Sequence, residues 1–588
     1  MRNRTKYLTA IYGGVLMACF GMGSALAATY AVTKVADTND GVCNTDCSLR
    51  EAVIASNTNA GPDIITLRSG TYILTLIGAN ENNSATGDLD IRGDLTINGA
   101  VVNRPNIDGN LRDRIFEIIE GVTVNINNVG ISNGVLLSDS GAGMQNRGNT
   151  TLNKVYFTGN VAAGGGGAIQ SRPAEPSSLD TIIPQLTILN SYFSKNCSAS
   201  GGGMESVGDV TIFNSRFEGN VPVVKGGVDC KNRDGAAIHF QGIFYNGANI
   251  DQSTFINNVG ETGAISAYGT HLTVTNTTIT NNRGTIRAGG ISGDGGDTEI
   301  TVKNSTIAYN TGSGAGGVQA FKYAAPIGQP TPLPQIMLIN SIIANNTTVG
   351  GVGGADCAGG DVASYGHNIF GTMAGCSVVL QTSDLVGNPQ LGALVTSGIA
   401  VTDIAQSYLP LLASSPAVDS ANNTECTAQD QLGQARPVDG NGDGIAACDR
   451  GSYELVNAKN QITVYARGTP VAGVYPNMVV RVNGKEARTF NVNSAVYTGY
   501  TLAANAGAAA THKIDVAFIN DAYAPPEDRN LLVQSLHVGT TIFMPGGAGV
   551  TYDRGAGIAA YDGVDVIAGQ QGMWWNGALR FTVPASAF

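Results

Sequence analysis

The sequence predicts an all-β chain in two parts, a parallel β-solenoid followed by an antiparallel β-sandwich. Three observations carry that prediction. One short phrase recurs between residues 120 and 350, glycine reaches 79 of 588 residues, and only 13% of residues are charged. Asn, Thr, Ser, Val and Ile fill much of the remainder, a mixture that suits short strands and tight turns better than helices. A chain this long exceeds one ordinary domain unless much of it repeats along one axis. The formal charge of −12 argues against a phosphate-binding surface, which needs clustered Lys and Arg, so nucleic acid is excluded as a partner.

Residues 1–27 read as a secretory signal. Arg2, Arg4 and Lys6 precede an apolar run from Tyr7 to Phe20, and Ala25-Leu26-Ala27 supplies a small-residue cleavage pattern. The run is short for a membrane span, and no later segment could cross a bilayer as a helix. Cleavage near Ala27 is favoured over lipidation at Cys19, because Met17 fits a lipoprotein box poorly. Eight cysteines then remain: Cys43, Cys47, Cys197, Cys230, Cys357, Cys376, Cys426 and Cys448. An even count in an exported chain suggests disulfides. Connectivity stays open, although pairing neighbours in order (43 with 47, 197 with 230, 357 with 376, 426 with 448) would staple four local loops. A zinc site is the rival, and it lacks a second Cys or His pair at zinc spacing.

The recurring phrase is an alternating strand, a small polar pair, then an apolar residue three positions before Asn. It appears as LTILNSYFSKN, VTIFNSRFEGN, NIDQSTFINN, LTVTNTTITNN, ITVKNSTIAYN and IMLINSIIANN, with a weaker first copy, TTLNKVYFTGN. The closing asparagines are Asn160, Asn196, Asn220, Asn258, Asn282, Asn310 and Asn346, at intervals of 36, 24, 38, 24, 28 and 36 residues. The shortest interval is one coil, and longer ones carry loop insertions. A glycine-rich phrase follows most copies. Two short strands per unit with glycine corners mean a parallel solenoid, whose unit buries its apolar face only when neighbours stack on it. Asn at a fixed turn position can stack on its equivalents and satisfy backbone groups where sheet bonding fails.

Solenoid ends need caps. Residues 28–75, with Cys47-Ser48-Leu49-Arg50-Glu51-Ala52 at their centre, closely resemble the CSLREA segment that opens many exported right-handed parallel β-helix proteins of the pectin-lyase-like class. Leu49 to Ala55 reads as a short amphipathic helix over the first coil. The solenoid then runs over 76–455. Its end, through SPAVDSA and ARPVDGNGDGIAACDRGSYE, resembles the choice-of-anchor Q terminal region. Asp439, Asn441 and Asp443 alternate before Gly444 as a calcium loop would, but Arg450 stands where an EF-hand places its bidentate Glu. The alternatives are a bound cation and a solvated turn closed by Cys448.

From residue 456 longer alternating strands begin, and residues 456–588 read as an antiparallel β-sandwich. ITVYARGTPVAGVYPNMVVRVNG and IDVAFINDAYAPPEDRNLLVQSLHV are similar to the calcium-dependent xylan-binding modules, carbohydrate-binding module families 60 and 36, over most of 461–588. That resemblance implies a jelly-roll fold, Ca2+ as cofactor, and Asp521 and Asp528 as metal ligands, with the backbone of Glu527 a weaker candidate. The chemistry fits independently: calcium takes hard oxygen ligands, and two carboxylates seven residues apart can converge across one loop. Trp574 and Trp575, the two tryptophans of the chain, and Tyr523 offer faces on which a pyranose ring can stack. One tryptophan is expected in the core.

Within the solenoid, GGVDCKNRDGAAIHF is the most loaded segment, with Asp229, Lys231, Arg233, Asp234 and His239. Carboxylates beside a base can support glycoside hydrolysis or β-elimination, although solenoid loops are polar for solubility alone. Three functions follow: an exported monomer that binds xylan-type plant polysaccharide, a polysaccharide hydrolase or lyase with its groove on the solenoid, or a surface adhesin or structural spike.

Overall fold

The computed structural model describes residues 27–588 except 79–80, 175–181, 243–246, 296, 322–335, 351–352, 397–403, 458–460 and 504–508. The signal segment and Cys19 therefore lie outside the described residues. Among those described, no helix is long and apolar enough to cross a membrane.

Three parallel sheets of twelve, ten and twelve strands form the solenoid. A coil reads Thr123–Asn127, Gly130–Ser132, Met144–Asn146, and the next begins at Asn149–Asn153 in register with Thr123–Asn127. Alternate residues of each strand point inward, where Val124, Ile126, Leu152, Ile188 and their equivalents build one continuous core. The residue three before each closing Asn lies in that core. Phe157, Phe193, Phe217 and Phe255 stack face to face there, with centroids 5.0, 4.4 and 4.9 Å apart.

Corners are turned by polar ladders. In the Asn-Ser pairs, Asn190, Asn214, Asn304 and Asn340 take left-handed φ of 47–51°, which Asn tolerates better than most residues. The following hydroxyl, such as Ser191, donates to the carbonyl two residues earlier and accepts the N–H of the previous coil. At the second corner each closing Asn donates its side-chain amide to Oδ1 of the next, from Asn160 to Asn196 (3.1 Å) through Asn310 to Asn346 (3.0 Å). The asparagines are structural, as their spacing predicts.

All four cysteine pairs join in sequence order. The helix Leu49–Thr58 covers the first coil, with Ser48 and Glu51 forming a reciprocal capping box. Arg50 within it is fully buried. It grips Asp37 with two nitrogens (2.7 and 3.2 Å) and donates to the carbonyls of Ser84, Gly87 and Asp88. Leu385–Val386 adds a last strand to the solenoid beside Ile369–Phe370, and the distal region follows. It returns along the flank, where Ser407 and Gln431 bond Thr254, Ser452 bonds Thr278 and Thr306, and Asn422 bonds Asn340.

Beyond it stand two six-stranded antiparallel sheets, packed on Ile462, Val464, Phe518, Val533, Leu579 and Phe581. The sandwich touches the solenoid flank: Arg488 donates to the carbonyl of Leu432, and Ala503 N–H donates to Gln434 Oε1.

Candidate carbohydrate site

The strand Thr511–Phe518 ends at a hairpin in which Ala522–Ala524 pairs with the start of Glu527–Val538, setting Tyr523 opposite Asp528. This brings Asp521 and Asp528 together at one end of the sandwich. Burial, then the neighbouring Asp528 carboxylate, push the Asp521 carboxyl above its usual range. Asp521 is anchored from its backbone, whose N–H donates to Asn576 Oδ1 at 2.9 Å.

The residues present suit a hard cation. Arg529 directs its guanidinium at the carbonyls of Val474, Asn520 and Val471, fixing the hairpin base. Asn530, two positions from Asp528 on the same strand face, has a buried Oδ1 with no hydrogen-bond donor among the described residues. Two crowded carboxylates beside an orphan amide oxygen form the oxygen-rich set that calcium accepts. The Glu527 carboxylate is occupied otherwise, accepting the Ala472 N–H at 2.6 Å.

A cleft of about 400 Å³ opens beside the hairpin, lined by Asp521, Arg554, Asp565, Trp575 and Asn576. Arg554 pairs with Asp565 at 2.6 Å and lies 5.5 Å from the Trp575 ring centre. The Tyr552 hydroxyl donates to the Trp575 carbonyl and so holds the ring-bearing backbone to the core. Neither tryptophan is buried: Trp574 is 43% and Trp575 51% exposed, which corrects the expectation that one is core. The inward position belongs to Met573, and Trp574 lies over Gly572, where a side chain would collide with its ring. Tyr523 is 71% exposed at the hairpin. Asn530 belongs to the stretch of oxygen donors that brackets Pro525-Pro526 in the sequence, and the structure adds that its Oδ1 is buried. The strand position of Asn530 beside Asp528 was the available signal for its role.

The other candidate residues part company. Asp439 spends both oxygens on the N–H groups of Gly442 and Gly444, Asn441 accepts from Asp443, and Asp443 accepts from Ile445. These are the bonds of a polar turn, which Asp419 ties down by accepting the N–H groups of Gly440 and Asn441. Asp229 projects on the hairpin Val223–Lys225 and Val228–Cys230 and pairs with Lys231 at 2.7 Å. His239 sits on a different strand, between Glu205 and Ser266 of adjoining coils. Burial pushes its ring below the usual range against the pull of Asp234 and Glu205, and its Nδ1 lacks a hydrogen-bond partner among the described residues.

Fold and site together define a parallel β-solenoid carrying a carbohydrate-binding module. Residues 461–553 match the family CBM60, described as a Ca-dependent carbohydrate-binding module that binds xylan. That match stops short of Trp574 and Trp575. A solved vCBM60 in complex with galactobiose is 25% identical, spanning 21% of this chain and 100% of its own, with a TM-score of 0.16. A selenomethionine form of vCBM60, described as one side of a circular permutation linking two calcium-dependent module families, is 21% identical over 21% of this chain and 91% of its own, at a TM-score of 0.16. A pectate lyase structure is 14% identical over 74% of this chain and 98% of its own, with a TM-score of 0.42. No curated protein matches the chain.

Proposed function

We propose that this is an exported polysaccharide-binding protein whose terminal module grips xylan-type plant glycan through calcium. The carrying observation is the convergence of Asp521 and Asp528 beside the cleft that Trp575 lines. Asp521, Asp528 and the Asn530 amide oxygen would hold the ion. When bound, calcium offers open coordination positions to vicinal sugar hydroxyls. The chain's own groups orient the sugar: Trp575 supplies the stacking face, and Arg554 with Asp565 supplies hydrogen-bonding groups at the rim. The family description supports this reading of ligand and metal.

Calorimetric titration of the full chain with xylohexaose, in calcium and then in excess chelator, tests it. A component of binding that needs calcium and disappears in Asp521→Ala is expected. Equal binding in both buffers, or none in either, would sink the proposal for xylan. A second reading, a polysaccharide hydrolase or lyase, is favoured by the buried His239, which sits beside Glu205 of the adjoining coil and feels the charge of Asp234. Release of reducing ends or unsaturated products from plant polysaccharide is its test.

A further inference from the structure

A groove of about 640 Å³ separates the sandwich from the solenoid flank, a size within the ~300–1,000 Å³ of small-ligand sites, which favour domain junctions. Its solenoid wall is a coil corner with Phe213, Asn214 and Gln252; its floor is the returning segment with Gln431 and Gln434. The far wall is made from Lys485–Asn491 and Thr498–Ala503, the outermost strands of the two sandwich sheets. We propose that this groove is a second glycan site, binding a neutral oligosaccharide without metal.

The chemistry of the walls selects that ligand. Asn214, Gln406 and Gln431 are bonded within the protein at both ends of their amides, which leaves Gln252, Gln429 and the amide nitrogen of Gln434 to meet sugar hydroxyls, groups that both donate and accept as amides do. The two charged residues on the wall are already engaged. Glu486 accepts the Thr489 hydroxyl at 2.7 Å, while Arg488 donates to the Leu432 carbonyl at 2.9 Å and lies 5.1 Å from the Phe490 ring centre. One carboxylate and one guanidinium give the lining no net positive charge with which to select an acidic sugar. Phe213 is 37% exposed at the solenoid corner, an uncommon position for a large ring and a stacking face for a pyranose. Edge strands present backbone N–H and C=O groups toward the groove, and one of them, Ala503 N–H, already bonds the amide oxygen of Gln434.

None of the residues lining this groove lines the hairpin cleft, so the two sites separate experimentally. The test is titration of the full chain with xylohexaose, cellohexaose and mannohexaose in excess chelator, which removes any calcium-dependent contribution. At least one sugar is expected to saturate there, with affinity falling about three- to tenfold in Phe213→Ala and also in Gln252→Gly. The latter keeps a backbone φ of 49° that glycine adopts freely. Thermal unfolding of both variants monitors the fold, and if Phe213→Ala is unstable, Gln252→Gly decides alone. Absence of chelator-resistant binding for all three sugars overturns the proposal, as does binding indifferent to the substitutions. Neither result bears on the calcium-dependent reading.

Discussion

Asn346 donates both its backbone N–H and its side-chain amide to one carboxylate oxygen of Asp356, at 3.2 and 3.0 Å. The other oxygen accepts the Thr372 N–H at 2.7 Å. The asparagine ladder thus ends on a residue that only accepts. Because every rung donates in the same direction, its last member needs an acceptor and has no further rung to serve. Asp356→Asn would turn an NH2 toward a donor whichever way the amide faced. A loss of roughly 1–3 kcal/mol is expected, read as a lower denaturant midpoint. A midpoint equal to that of the parent would show that the ladder does not depend on its terminus.

Arg50 makes a second test. Truncation to Ala leaves the Asp37 carboxylate with only the N–H groups of Thr75 and Leu76 and removes donors from three carbonyls, which should cost about 2–4 kcal/mol. Arg50→Lys cannot reproduce the forked contact and should recover only part of it. Limited proteolysis of the first coils, compared across the three proteins, ranks them. Identical digestion patterns would refute a capping role.

Asp88, Asp90 and Glu117 each offer one oxygen within 4.8 Å of the others, and burial raises Asp88 to about 7 and Asp90 to about 6. An acid raised in the folded state adds stability that is full below its unfolded pKa of about 4 and lost as pH climbs through 6 and 7. This cluster should therefore make the protein less stable at pH 8 than at pH 4.5. Asp88→Asn should remove much of that difference, on the order of 1–3 kcal/mol at pH 8. Unfolding midpoints at the two pH values check it, and parallel slopes for parent and variant would contradict the assignment.

The raised Asp521 carboxyl also predicts how a calcium site would titrate. Protons compete with the ion, and the competition begins at higher pH than for an ordinary Asp. Calcium affinity should fall as pH is lowered, and earlier in the descent than at a site built on ordinary carboxylates. A pH-independent affinity would remove Asp521 from the ligand set.

For the sugar, Trp575→Ala should weaken binding roughly tenfold, and Trp574→Ala should do less, since Trp574 lies over Gly572 and Trp575 lines the cleft. The reverse order would relocate the stacking face.

The repeating parts of this structure were legible because repetition writes itself into spacing. Asn160 to Asn346, the apolar residue three positions earlier and the Asn-Ser corners all follow from one geometry applied again and again. The neighbour pairing of cysteines was in view for a related reason: each loop is local. What the spacing hid are contacts made once. Asp356 replaces a rung only ten residues after Asn346, and Arg50 reaches carbonyls up to 38 positions away. The return along the flank joins partners such as Thr278 and Ser452, 174 apart. At the candidate site the carboxylates were legible as a pair, but the exposure of both tryptophans and the orphan Asn530 oxygen depend on how two sheets meet.

One property of the asparagine ladder reaches beyond stability. A rung bonds only the rung above and the rung below, whether 24 or 38 residues of chain intervene. Coils can accordingly be duplicated or deleted, and their loops lengthened, without redesigning any rung. Each added coil extends the body by about 4.8 Å, the distance between neighbouring strands. An ancestral chain could have changed its reach in fixed increments while leaving the terminal module untouched, so that span and grip evolved as separate variables.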